Sequence, residues 1–158
     1  MKGLVQSYGK LQDLIVTASV CELCAESREV VLWQSTDCRV VRVDDPAQPG
    51  FCRVIWNAHV REMTDLDAAS RSILMSVVFA VEAAVRQCFS PDKINLASFG
   101  NVVPHLHWHV IPRWTDDRHF PEPIWGRIQR TSTTIRPVID DPELAAAITC
   151  RIAQEGLA

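Results

Sequence analysis

Apolar and polar positions along this chain follow two periods: alternation in short runs and a helical repeat in longer ones. Val30 to Gln34 and Cys38 to Val43 are rich in β-formers and are separated by Ser35-Thr36-Asp37, which predicts a hairpin. Asp44-Asp45-Pro46 ends the second run, and after the turn at Pro49-Gly50 the segment Phe51 to Trp56 predicts a third antiparallel strand. Between Thr64 and Phe89, residues Leu66, Ala69, Ile73, Val77, Ala80, Ala84 and Cys88 recur at helical spacing. Val78, Val81 and Val85 widen that stripe, so a long helix is expected across the sheet, with Thr64 and Asp65 as its caps. Ser90-Pro91-Asp92 breaks it, and Ile94 to Ser98 and Leu106 to Pro112 read as strands flanking a turn at Gly100-Asn101.

Beyond Arg113 the pattern becomes irregular, punctuated by Pro121, Pro123 and Pro137. Asp141-Pro142-Glu143 then opens a helix near 142–155, with Asp141 as cap, Pro142 at the first helical position and Leu144, Ile148 and Ile152 on one face. The expected architecture is α+β: an antiparallel sheet of about five strands, one long helix and a C-terminal helix. It divides into an N-terminal arm (1–20), a domain (21–114) and a C-terminal extension (115–158).

Within the last strand run, His105-Leu106-His107-Trp108-His109-Val110-Ile111 sets three histidines in strict alternation. In an extended strand they share one face, while Leu106, Trp108 and Val110 occupy the other. At about 6.6 Å between next-but-one residues, such a row suits an extended anionic substrate. A lone strand histidine is ordinarily structural. Three in a row call for a functional reading.

Composition narrows that reading. A chain of 158 residues, 47% apolar and 22% charged, has room for one domain with a real core. Its net charge is −3 and it has no basic block, so a bulk electrostatic grip on nucleic acid is not expected. Gln6, Lys10, Gln12 and Asp13 interrupt the first segment, so it lacks a signal-peptide core, and no run is expected to reach transmembrane length. Six cysteines, at positions 21, 24, 38, 52, 88 and 150, then read as cytoplasmic thiols or metal ligands rather than a disulfide framework.

On the residues His105 to Ile111 the chain resembles the histidine triad (HIT) family of nucleotide hydrolases and transferases. Cys21-x-x-Cys24 ahead of the first strand, Val54-Ile55-Trp56-Asn57-Ala58-His59 before the long helix, and Asn95 before the triad match in order. The resemblance implies a compact α+β domain, commonly dimerising through its long helix and a neighbouring strand. It makes His107 the nucleophile that attacks the α-phosphorus of a nucleotide, giving a covalent nucleotidyl-imidazole that water releases as a nucleoside monophosphate. Imidazole suits this role because it offers an unprotonated nitrogen near neutral pH, provided its other nitrogen is tied, here expectedly to a backbone carbonyl. His109 would donate to a phosphate or bridging oxygen, Asn95 and Asn101 would add neutral donors, and Asp44, with Asp45 as the alternative register, would hold the ribose hydroxyls.

The resemblance further implies a closed, structural zinc site of Cys21, Cys24, His59 and His105, as in zinc-containing relatives and the related galactose-1-phosphate uridylyltransferases. A rival reading makes His105, His107 and His109 joint ligands of a catalytic metal, although a straight strand spreads them over about 13 Å. No organic cofactor is expected. Phe51 stands where many relatives carry a further histidine, and Val102 where they carry Ser or Thr, so the leaving group is open. Dinucleoside polyphosphates and nucleoside phosphoramidates are the expected substrate classes. Transfer of the nucleotidyl group to phosphate, and purine-nucleotide binding with little turnover, are the alternatives. Trp125, Arg127 and Arg130 are candidates to reach a partner subunit or a polyphosphate tail.

Overall fold

A computed structural model describes residues 21–25, 29–132 and 134–157; the expected arm at 1–20 lies outside them. Five antiparallel strands form one sheet in the order β1-β2-β3-β5-β4: β1 (Val30–Gln34), β2 (Cys38–Arg42), β3 (Cys52–Trp56), β4 (Lys93–Ala97) and β5 (His107–Arg113). Helices α1 (Ala68–Phe89) and α2 (Asp141–Gln154) cover one face. The expected α+β architecture is the one observed.

Alternation sorts each strand between two environments. Cys38, Val40, Cys52, Val54 and Val110 point into the core beneath the helices and are fully buried. Their neighbours Val41, Arg53, Ile55, His107 and His109 occupy the opposite face, which carries only a small second cluster of Leu23, Val41 and Ile55. Helix α1 sends Leu74, Val77, Val78, Val81, Ala84 and Val85 into the core, and α2 adds Leu144, Ile148 and Ile152 to the same core. At 22 residues, with an 18-residue stretch of mean hydropathy 1.6, α1 is long and apolar enough to span a membrane, contrary to the sequence expectation; it packs against the sheet and α2.

Both helix starts differ from the expected caps. Met63–Asp65 forms a separate 3-10 turn, Leu66 is extended, and α1 begins after Asp67, whose carboxylate accepts from the Ser70 N–H at 2.7 Å. Asp140 caps α2 by accepting from the Glu143 N–H, which frees Asp141 to take the Arg42 guanidinium of β2 at 2.6 Å. In the β2–β3 turn, Gly50 has φ +85°, and a Cβ there would meet the Phe89 ring at 2.5 Å, so no side chain fits.

Residues 115–139 carry no helix or strand among those described, yet side-chain hydrogen bonds fix their course. The buried Arg113 donates Nε to Asp117 Oδ2 at 2.8 Å and Nη2 to the Glu122 carbonyl at 2.7 Å. Arg130 donates to the carbonyls of Thr115, Asp117 and Phe120. Burial alone raises the Asp117 carboxyl, but Arg113 and the N–H groups of His119 and Phe120 together hold it below its usual value. These ties carry the segment back over the open face of the sheet, where Trp125 reaches the histidines.

Candidate functional site

The three histidines do not form one row. Strand β5 begins at His107, so His105 sits just before it, in a bend where Leu106 N–H donates to the Val60 carbonyl. That bend turns the fully buried His105 towards the N-terminal cysteines, while His107 and His109 remain on the open sheet face. Their rings lie 4.8 Å apart, centroid to centroid. A joint site for one ion on all three histidines is therefore not what the fold builds.

Around His105 the four expected ligands converge. A turn closed by Cys24 N–H to the Cys21 carbonyl, at 3.0 Å, brings both thiols to one side, and Arg39 pins that turn through the Leu23 carbonyl at 2.8 Å. His105 Nε2 donates to the Trp56 carbonyl at 2.6 Å, so its lone pair is on Nδ1, 3.4 Å from each sulfur. His59 Nδ1 is 3.2 Å from Cys24 Sγ, and all four ligand atoms lie within 4.8 Å of one another. A tetrahedral ion with bonds of about 2.0–2.3 Å spaces sulfur and nitrogen ligands about 3.5 Å apart. The set fits a closed tetrahedral metal site. Without a cation there, burial and the neighbouring Cys21 push the Cys24 thiol up to about 11.

His107 is arranged the other way round. Its Nδ1 lies 2.6 Å from the His105 carbonyl, and because a carbonyl only accepts, Nδ1 carries the proton and Nε2 the lone pair. The Ser98 hydroxyl donates to the carbonyl of His107 itself at 2.8 Å, fixing the strand there. Burial pushes the His107 imidazole below its ordinary value, so the ring stays neutral. His109 is lower still, pushed to about 3 by burial, then by His107 and Arg53. Its Nδ1 is buried with no hydrogen-bond partner among the described residues.

Both rings line a cavity of about 510 Å³ that also takes in Leu23, Arg53, Asn101 and Trp125. Of the expected substrate-binding residues, only Asn101 lies in its wall. Asn95 Oδ1 accepts from Arg113 Nη1 at 2.7 Å, and the residue lines a separate cavity of about 590 Å³ along the outer edge of β4. Asp44 is exposed beyond the end of β2, while the Asp45 carboxylate caps its own turn through the Ala47 N–H at 2.9 Å. Phe51 touches the site through its ring, 5.7 Å from His109, and Val102 is 93% exposed.

One cavity residue goes unnamed in the sequence, and another is named there without its place. Arg53 faces His109 directly across the β3–β5 pairing, a register that no local pattern reveals. Trp125, 16 residues beyond His109, packs 5.2 Å from that ring and 5.3 Å from Phe99 within its own chain. An alternating Arg on the open face of β3 is the only signal for the first. The irregular proline-rich context leaves the place of the second open.

Residues 25–116 match the HIT domain family, and the chain belongs to that family. It is 29% identical over 87 residues to a protein of Mycobacterium tuberculosis named AP-4-A phosphorylase, covering 51% of this chain and 45% of that one. An uncharacterized HIT-like protein of Saccharolobus solfataricus is 27% identical over 77 residues, 46% of this chain and 55% of that one. This chain thus spans about half the length of the relatives it matches. Among solved structures, a histidine triad protein of Bradyrhizobium japonicum superposes with a TM-score of 0.62 at 26% identity, covering 78% of this chain and 90% of that one. A zinc-bound histidine triad family protein of Mycobacterium smegmatis shares the fold, with a TM-score of 0.59 at 19% identity over 88% and 97% of the two chains.

Proposed function

We propose that the chain processes nucleotides by transferring a nucleotidyl group from the α-phosphate of its substrate to His107 and then to water. The carrying observation is the His107 hydrogen bond to the His105 carbonyl, which leaves a neutral Nε2 as the nucleophilic atom in a cavity shared with His109. In the first step Nε2 bonds to the α-phosphorus, the bond from phosphorus to the leaving group breaks, and its electron pair departs with the leaving group. The neutral His109 steadies the phosphate by an N–H hydrogen bond, and Asn101 supplies another donor. In the second step a water oxygen bonds to phosphorus, the N–P pair returns to Nε2, and the water proton passes to solvent, releasing a nucleoside monophosphate. Asp44, open to solvent, is the proposed ribose acceptor. Asn95 acts through Arg113 on the segment that carries Trp125.

Phosphate as the acceptor is the second reading, supported by the similarity to a protein named AP-4-A phosphorylase. Zinc, the proposed ion for the Cys21, Cys24, His59 and His105 site, supplies structure: it ties the N-terminal turn to the start of β5. Such thiolate ligands need a reducing compartment, which supports a cytoplasmic location. A homodimer is supported by the unpaired outer edge of β4 beside α1, where Phe79 is 49% exposed, and light scattering at micromolar concentration tests it.

The decisive experiment is intact mass after rapid, acid-free quenching with a dinucleoside polyphosphate or an adenosine phosphoramidate. A nucleotidyl adduct on the wild type but not on His107→Ala is expected, with nucleoside monophosphate accumulating. Nucleoside diphosphate forming only when inorganic phosphate is added would identify the phosphorylase. AMP binding with no adduct and no product would reduce the chain to a nucleotide-binding protein.

A further inference from the structure

Several arginines of the described residues are tied to acceptors, and Arg53, which faces the histidine cavity, is not. Arg39 pairs with Glu29, Arg42 with Asp141, Arg113 with Asp117 and Arg136 with Asp116, and Arg130 caps three carbonyls. Arg53 lines the cavity of His107 and His109, yet among the described residues its guanidinium has no acid partner, and its buried Nε has no hydrogen-bond acceptor. Leaving a buried donor unpaired costs about 1–3 kcal/mol. In the β3–β5 register Arg53 sits opposite His109, so its side chain enters the cavity beside the ring rather than at the sheet margin.

We propose that Arg53 is the cation of a leaving-group subsite in this cavity, selecting substrates whose leaving group is a nucleoside polyphosphate over those that expel an amine. The inference rests on the nucleotidyl-transfer reading of His107. When Nε2 bonds to the α-phosphorus of a dinucleoside polyphosphate, the bridging P–O bond breaks and its electron pair stays on the departing phosphate oxygen. A guanidinium stabilises that added charge through its N–H donors, and no proton has to move. A phosphoramidate breaks a P–N bond instead, and its amine must take up a proton to leave.

Among the described residues, the cavity wall offers no buried acid for that proton. His109 is held neutral by burial, Val102 presents methyl groups and no hydroxyl, and Glu22, the one carboxyl among the described lining residues, is exposed. A fixed cation with no proton donor suits a phosphate leaving group and not an amine. Beyond Arg53 the wall is aromatic: Phe99 and Trp125, each about half exposed, stand edge to face at 5.3 Å. They present planar apolar surface for the base of the departing nucleotide.

The test compares kcat/KM for diadenosine tetraphosphate and for an adenosine phosphoramidate in wild type, Arg53→Gln, Arg53→Lys and Trp125→Ala. Wild type should favour the polyphosphate. Arg53→Gln should lose about 100-fold on the polyphosphate and less than about 3-fold on the phosphoramidate, with Arg53→Lys recovering part of the loss. Trp125→Ala should raise KM for the polyphosphate more than it lowers kcat. Melting temperature and metal content report folding of each variant. Equal losses on both substrates, or none, would overturn the role of Arg53 while the His107 adduct still forms. If wild type forms no adduct with either substrate, the reading of His107 fails and this subsite with it.

Discussion

His105 and His107 are two residues apart, both buried, and each has one ring nitrogen tied to a backbone carbonyl, but the tied nitrogen is opposite. His105 gives Nε2 to the Trp56 carbonyl and turns Nδ1 to the thiols. His107 gives Nδ1 to the His105 carbonyl and keeps the Nε2 lone pair free. One residue thereby presents its lone pair to the thiols and the other keeps its lone pair free, from the same amino acid and with both buried; the proposed metal and nucleophile roles follow from that difference. The carbonyl partner, not the histidine, assigns the role. The two are also mechanically joined, because the carbonyl that fixes His107 belongs to His105.

That division predicts a separation of phenotypes. His107→Ala should abolish the nucleotidyl adduct and lower turnover by about 10⁴-fold, as loss of a covalent nucleophile does. Melting temperature and bound zinc should stay at wild-type levels, read by scanning calorimetry and metal analysis. If His107→Ala lost zinc as well, the two histidines would form one site and the comparison would collapse.

Cys24→Ser attacks the other half. Removing one thiolate should release the metal and lower Tm by roughly 10 °C, about 4 kcal/mol at 2–4 °C per kcal/mol for a domain of this size. Turnover should fall less than in His107→Ala, because the change reaches the cavity indirectly, through Glu22 and Leu23 in the Cys21–Cys24 turn and through the His105 carbonyl. Zinc retained at full stoichiometry in this variant would remove Cys24 from the ligand set.

Much of this was legible in the chain itself, for a physical reason. Strand alternation and the α1 stripe are local patterns, so the five strands and both helices lie where the apolar periods put them, within one residue at each end except the start of α1, four residues after Thr64. The four metal-site residues converge as the resemblance to zinc-containing relatives implied, since a Cys-x-x-Cys pair alone does not name its histidine partners. Two features were not legible. The caps went to Asp67 and Asp140 rather than Thr64, Asp65 and Asp141, since several adjacent Asp and Thr residues could each have served and only tertiary contacts such as Arg42 to Asp141 chose among them. The cavity wall depends on strand register and on a segment without periodicity, so Arg53 became visible only when β3 paired with β5, and Trp125, a candidate in the sequence, was placed on His109 only when Arg113 drew residues 115–130 back over the sheet.

His109 gives the smallest and finest effect. Unlike its two neighbours, its Nδ1 meets no carbonyl, and burial holds the ring near 3, well below the unfolded imidazole value of about 6.5. Between those limits the unfolded chain binds a proton that the folded chain refuses, so stability is fully present above about pH 6.5 and falls as pH drops through the window. One such group sets a slope of at most about 1.4 kcal/mol per pH unit. His109→Gln should flatten the dependence by nearly that amount, measured as the difference between variant and wild-type urea unfolding free energies at pH 6.5, 5.5 and 4.5. Taking the difference cancels the acid response of groups common to both proteins. Parallel curves would show that His109 is already charged in the folded state, and the neutral-donor role beside Arg53 would go with it.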